Sequence, residues 1–206
     1  MKLVPLITQN KTAAYKGILD QGGEGLMLKL ASGTYIQKGR PKVMQKVKRH
    51  EEIDAFVTGF DPGEESAGWF GLVGALVFSA ITEKGTNHEV AKCSNFELTE
   101  RIQMTVCSIC DGDLDVKHDN VDGKRRILDI NCTSCKANHP APALRKDWYN
   151  RVAAVQGQEY TSRVFRLKHA FIERWREGVD EKKPGDCTVN LADVQRRFQR
   201  AAVSLG

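Results

Sequence analysis

Two cysteine pairs constrain this chain more than any other feature. Cys107 and Cys110 form one C-x-x-C, Cys132 and Cys135 form a second, and 21 residues separate the inner members. Between them LDVKH runs into DNVDG and returns through RRILDI, a pattern of two strands about an Asp122–Gly123 turn. Such a hairpin brings both knuckles to one point, and four thiolates at one point make a tetrahedral site for Zn²⁺. Gly112 eases the first knuckle. A site closed by four thiolates keeps no open position, so its role is folding or docking rather than chemistry. The plainer alternative is four reduced cysteines in a core. The DGDLD run at 111–115 is no calcium loop, because Val116 stands where such a loop needs Gly and Asp122 where it needs Glu.

The rest of the sequence sets the compartment and the partners. Met1–Ile7 (MKLVPLI) is too short for a secretory apolar region and no small-residue cleavage pattern follows it, so a cytoplasmic location is expected and disulfides are not. No run approaches the roughly 18 apolar residues of a membrane span. The net charge of +5 is unevenly spread: residues 1–50 carry ten Lys and Arg against Asp20 and Glu24, whereas residues 51–100 carry two Lys against ten acids. The basic end suits a polyanion, nucleotide phosphates or a nucleic-acid backbone, or else it is a solvated face.

Periodicity divides the chain into three. Residues 1–50 hold a short strand at 2–7 and a helix at 11–21 with Asn10 or Thr12 as N-cap and Gly22–Gly23 as its stop. A strand over Gly25–Leu30, expected to be buried on both faces, a polar loop from Tyr35 to Arg40 and a strand over Val43–Val47 follow. So small a section is marginal alone and reads as the end of a domain whose beginning lies elsewhere. From residue 51 to 189 the pattern is β-rich, with strands expected at 53–61, 69–81, 88–96, 149–155 and 162–167, a short helix at 97–104 and the cysteine hairpin inserted at 105–140. Short strands with Gly-rich turns indicate a small barrel or sandwich, an OB-type barrel being one option. Residues 190–206 suggest an amphipathic helix with Leu191, Val194, Phe198 and Ala201 on one face and Arg196, Arg197 and Arg200 elsewhere. The expected class is mainly β with some α.

Three further stretches carry a resemblance. EGLMLK (24–29), YIQKGR (35–40) and KVK (46–48) resemble the nucleotidyltransferase motifs of ATP-dependent DNA ligases, the first matching EG-apolar-apolar-apolar-K and the last K-x-K. IDAFVTGF from Ile53 looks like the entry to that family's OB-fold domain. FRLKHAFIERWREGVDEKKPGDC (165–187) is similar to its terminal motif. The resemblance implies an α+β nucleotidyltransferase remnant over 1–50, an OB-fold domain with a zinc-ribbon insertion over 51–189, and a C-terminal helix. It implies ATP and Mg²⁺ in the reaction beside the structural Zn²⁺, and nicked duplex DNA as substrate. By the same resemblance Glu24 helps hold the divalent metal, and Lys46 and Lys48, on one face of a strand, neutralise the α-phosphate. Lys29 and Arg40 belong to the same phosphate-binding set, and Arg176 with Lys182 or Lys183 meets the β- and γ-phosphates. The family's Asp-Lys pair is spread here as Asp180-Glu181-Lys182-Lys183, which leaves two candidate lysines.

The family's adenylated lysine lies in a K-x-D-G motif, and no such tetrapeptide occurs in these 206 residues; NVDG at 120–123 has Asn in its place. Without that nucleophile the chain cannot form lysyl-AMP. The expectation is therefore the C-terminal portion of a ligase, completed by an N-terminal part or partner chain. Two other readings share the motifs: a non-catalytic zinc-containing OB-fold nucleic-acid binder, and a fragment of a capping-enzyme-like nucleotidyltransferase.

Overall fold

The computed structural model describes residues 6–21, 23, 25–34, 43–48, 50–121, 123–158, 160–161 and 163–196, with Lys124 described by its backbone alone. Contacts divide the chain into two units, residues 1–50 with 192–206, and residues 51–191. Among the described residues no helix is long and apolar enough to cross a membrane.

The first unit contains helix α1 (Lys11–Asp20) and the antiparallel strands β1 (Gly25–Lys29) and β2 (Met44–Lys48). Ala14, Tyr15 and Ile18 lie half-buried, and α1 packs against β1. Asn10 takes the N-cap place in a left-handed conformation, but its side chain makes no capping bond. The last turn is closed by the Gln21 and Gly23 amides, which donate to the Gly17 and Ile18 carbonyls. Strand β1 departs from expectation. It is half-buried on one face only, with Met27, Lys29 and Leu30 exposed, because a five-residue strand paired to one partner covers one side. Ile7 and Leu6 are not in a strand, and residues 2–5 lie outside the described residues. The expected C-terminal helix is present as α3 over 191–196; Phe198, Ala201, Arg197 and Arg200 lie outside them.

The second unit is built on β3 (Glu51–Pro62), β4 (Val73–Thr82), β5 (Asn87–Cys93), β10 (Val152–Gly157), β11 (Phe171–Trp175) and β12 (Thr188–Val189). The order is β11-β10-β3-β4-β12, with β5 on the other edge of β4. The twelve-residue β3 serves two neighbours: Glu51–Phe56 pair with β10 and Phe56–Pro62 with β4. A strand shared in this way must coil, and it turns the apolar sides of Ala55, Val57, Leu76, Phe78 and Val155 into one core. The expected barrel is not closed by backbone pairing. Between β5 and β11 the Asn95 side chain stands in for a strand, its amide donating to the Ile172 carbonyl (3.3 Å) and accepting from the Ile172 N–H (3.1 Å). Residue 162 lies outside the described residues, and among the described residues 163–167 no strand forms. There the chain turns, Thr161 N–H bonding to the Arg166 carbonyl and Phe165 N–H to the Thr161 carbonyl, before Leu167 N–H reaches the Val90 carbonyl.

Helix α2 (Leu98–Met104) follows β5, and its Arg101 is one of the largest fully buried side chains. Its guanidinium donates to the carbonyls of Val73 (2.6 Å), Gly74 (2.5 Å), Ser94 (2.6 Å) and Phe96 (3.2 Å), and lies 4.2 Å from the Trp69 ring. One cation thus satisfies four backbone acceptors where β4 starts and β5 ends. The cysteine module then adds two small ladders, β6 (Thr105–Cys107) with β9 (Pro142–Leu144) and β7 (Leu114–Val121) with β8 (Lys124–Cys132). It shares a core with the loop that joins β3 to β4: Leu72, Leu98, Cys107, Leu114, Ile130 and Cys132 are buried together, with Trp69 packed against them.

Candidate functional site

The four cysteines are assembled as the spacing predicts. Their Sγ atoms all lie within 4.8 Å of one another. Cys107 and Cys135 are 3.7 Å apart and Cys110 and Cys132 3.4 Å. A tetrahedral ion with Zn–S bonds of 2.3 Å spaces its sulfurs by about 3.8 Å, so the donor set fits Zn²⁺. The two knuckles are built alike. Cys107 N–H donates to the Gly112 carbonyl and Cys132 N–H to the Ala137 carbonyl, while Asp111 and Lys136, each just after the second cysteine, hold positive φ of 56° and 60°. Gly112 is required by space: a Cβ there would come within 3.0 Å of Cys132 Sγ and 2.6 Å of Ser134 Oγ. In the hairpin Arg126 pairs with Asp119 and Arg125 lies 5.0 Å from the Trp69 ring.

The second group is a lysine face. The register sets Gly25 opposite Lys48, Met27 opposite Lys46 and Lys29 opposite Met44. Cross-strand partners share a side and alternate residues share a side, so Lys29, Lys46 and Lys48 project from one face of the β1–β2 pair. Gly25 closes this arrangement with φ of 141°, where any Cβ would meet the Val47 carbonyl oxygen at 2.0 Å. Only glycine fits at position 25. Glu24 and Arg40 themselves lie outside the described residues.

The third group lies at the terminal motif. A cleft of about 240 Å³ is lined by Asn150, Arg151, Arg176, Glu177, Glu181 and Lys182 among others. Arg176, on the chain leaving β11, is buried, with 8% of its side chain exposed. Its Nε donates to Asp54 Oδ1 (2.7 Å), its Nη1 to Asp180 Oδ2, and Glu52 Oε1 lies 3.6 Å from Nη2. Lys182 Nζ donates to the other oxygen of Asp54. Burial alone would push the Asp54 carboxyl up, but hydrogen bonds from Lys182 and Arg176, with their charges, hold it below its ordinary value. Donating to Asp54, and to Asp180 beside it, raises Arg176 in return. Arg151 lies 4.3 Å from the Trp148 ring and 4.5 Å from the Trp175 ring and pairs with Glu177. Of the two candidate lysines, Lys182 lines the cleft. Lys183 is exposed, its backbone N–H bonded to Asp186 Oδ2.

Asp54 and Arg151 were not expected at a site. A signal did exist for Asp54: it is a lone acid inside the apolar run IDAFV, where a strand residue needs a strong reason to carry charge. Arg151, beside Tyr149 and Asn150, has no comparable signature.

No family model matches the sequence, and no curated relative matches it. Solved structures do share its fold, and they are structures of ATP-dependent DNA ligases. The one recorded as Pmar-Lig_PreS3 aligns over 82% of this chain and 30% of its own, with a TM-score of 0.52 and 16% identity. Pmar-Lig_Pre aligns over the same shares, with a TM-score of 0.51 and 15% identity. A third, described as "DNA binding with a minimal scaffold: Structure-function analysis of Lig E DNA ligases", covers 84% of this chain and 48% of its own at 0.48 and 18%. The mainly β class is thus established, and the chain spans about 30% of the length of the first two structures.

Proposed function

We propose that this chain is the C-terminal portion of an ATP-dependent DNA ligase that seals nicks in duplex DNA. The observation that carries the reading is the lysine face, which places Lys29, Lys46 and Lys48 on one side of a two-stranded unit beside the Gly25 that precedes them in the motif. In nucleotidyl transfer a lysine amine attacks the α-phosphate of ATP, pyrophosphate leaves, and the AMP passes to the 5′-phosphate at the nick before the 3′-hydroxyl displaces it. Each step spreads negative charge over phosphoryl oxygens, and fixed cations aimed at them lower the barrier. Lys46 and Lys48 have that role at the α-phosphate, with Lys29 and Arg40 beside them. A magnesium ion supplies further charge neutralisation when bound, and Glu24 is the residue that would hold it. Lys182, with Arg176 behind it, meets the outer phosphates. The four-thiolate site takes Zn²⁺ and stabilises the module without entering the reaction.

The attacking amine comes from a separate N-terminal segment or partner chain with K-x-D-G. Exposed apolar side chains of the first unit, Leu6, Met27 and Leu30, are consistent with a surface that such a partner covers. The test is complementation: the chain is mixed with an N-terminal ligase segment carrying the lysine, supplied with Mg²⁺ and either ATP or GTP, and presented with nicked duplex DNA and nicked RNA. Sealing of nicked DNA alone is expected, falling at least a hundredfold in Lys48→Ala. A well-folded pair that leaves the nick open defeats the proposal, and turnover of GTP instead favours the capping-enzyme reading. Affinity for DNA with steep salt dependence but no sealing points to the non-catalytic binder.

A further inference from the structure

The terminal cleft holds more carboxylate than Arg176 alone needs. Asp180 and Glu52 already face its guanidinium, yet Asp54 is half-buried behind both cations with 17% of its side chain exposed. Its two oxygens are divided: Oδ1 takes Arg176 and Oδ2 takes Lys182. The cations differ in access. Arg176 is almost fully enclosed, whereas Lys182 keeps 38% of its side chain exposed and lines the cleft. Asp54 is not among the lining residues, so it does not occupy the space a ligand would take. A lysine on a four-carbon stem otherwise samples many rotamers, and fixing it at the moment of binding subtracts from affinity.

We propose that Asp54 is a positioning residue for this cleft: through Arg176 as a fixed floor and Lys182 as the ligand-facing cation, it prepares the site for a condensed phosphate chain such as a di- or triphosphate. This rests on the reading of Lys182 as a phosphate contact, and it adds a residue that no motif of the terminal segment contains. The acid lies on β3, 128 positions before the lysine it holds. It makes an unusual prediction. Removing a negative charge beside an anion site should tighten anion binding by simple electrostatics, whereas here its removal weakens binding.

The experiment is a titration of the full chain with inorganic tripolyphosphate at low salt, followed by amide NMR signals, for the wild type, Asp54→Asn, Asp54→Glu, Lys182→Met and the double variant Asp54→Asn/Lys182→Met. The signals of β4 and β5, which share the sheet with β3 but do not line the cleft, report that the fold is intact. Asp54→Asn is expected to bind about tenfold more weakly, matching Lys182→Met, and Lys182→Met should add little once Asp54 is gone. Asp54→Glu keeps the charge and supports folding but displaces the carboxylate, and an intermediate loss is expected; if Asp54→Asn does not fold, this variant decides. Binding by Asp54→Asn or Asp54→Glu that equals or exceeds wild type overturns the role of Asp54 alone. A wild-type chain that ignores tripolyphosphate overturns the phosphate reading of the cleft, and the positioning role falls with it.

Discussion

The cysteine module and the terminal cleft solve the same problem, holding groups of like charge together, in opposite ways. At the module four thiolates converge from two knuckles within 29 residues of one another, and the fit is to one cation. At the cleft two cations converge from the segment after β11, Asp180 beside them is local, and the carboxylate they share, Asp54, comes from β3, 122 and 128 positions earlier. The first arrangement is local and repeats itself, with the same amide–carbonyl bond and the same left-handed residue in each knuckle. The second is assembled only when β10 pairs with both β3 and β11. Local sites are legible in sequence and survive partial unfolding; distant ones are neither.

The largest effect that would break this comparison concerns the metal. Cys107 and Cys132 are core residues as well as candidate thiolate donors, so removing the proposed Zn²⁺ should loosen Leu72, Leu114 and Ile130 together. Chelation, or Cys132→Ser, is expected to abolish amide protection across β7 and β8 and to lower the melting temperature by more than about 10 °C, since structural zinc contributes on the order of 10 kcal/mol in small modules. Because the β3–β4 loop shares that core through Trp69, its protection should fall as well. Chelation that leaves the melting temperature unchanged, while Cys132→Ser still lowers it, would mean that the cysteines are merely core.

What could be read in advance follows the same division. The C-x-x-C spacing, the turn at Gly123 and the apolar run in IDAFVTGF pointed to the hairpin and the long strand, because each signal lies within a dozen residues. Over the described residues 163–167 the strand expected at 162–167 is absent, because the Thr161–Arg166 turn closes on itself. It meets β5 only at points, through the Leu167 N–H to the Val90 carbonyl and the His88 ring to the Val164 carbonyl. The β-rich class was read correctly, but the sequence could not show that among the described residues the sheet stays open and the Asn95 side chain bridges between β5 and β11. At the candidate site the motif residues Lys46 and Lys48 could be placed on one face by parity alone. That Arg176 would be enclosed by Asp54 and Asp180 could not, because pairing between distant strands decides it.

Arg101 supplies the next test, as a buried cation that is satisfied without any carboxylate. Arg101→Met keeps much of the apolar stem but strands the Val73, Gly74 and Ser94 carbonyls. Each buried acceptor left unpaired costs about 1–3 kcal/mol, so a loss of roughly 3 kcal/mol or more is expected in urea unfolding. Arg101→Lys should recover only part of this, since one ammonium lacks the fork that reaches four acceptors. If both variants unfold at the wild-type urea concentration, water already serves those carbonyls.

Acid separates the cleft from the rest more gently. The Asp54 carboxyl titrates below its ordinary value of 3.8 in the folded chain because Lys182 and Arg176 outweigh the cost of burial. A group with a depressed folded value stabilises fully above its unfolded value, and that contribution disappears as pH falls through the folded one. The stability difference between wild type and Asp54→Asn should therefore be constant from pH 7 to about 4.5 and shrink below 3.8. A difference that instead grows on acidification would show that the carboxylate destabilises the fold.

The smallest expected effect lies at the open side of the sheet. Asn95 replaces a missing backbone pair between β5 and β11 with two bonds to one residue, Ile172, 77 positions away. Both bonds are exposed to solvent, and an exposed hydrogen bond adds roughly 0.5–1.5 kcal/mol, so Asn95→Ala should cost about 1 kcal/mol in all. The position of the loss matters more than its size. β11 leads directly to Arg176, so faster amide exchange is expected from Phe171 to Arg176, with β7 and β8 unchanged. Loosening confined to β5 would mean that β11 is held by β10 alone. Loosening that reaches the cysteine hairpin would show the two regions to be mechanically joined, against the contrast drawn between them.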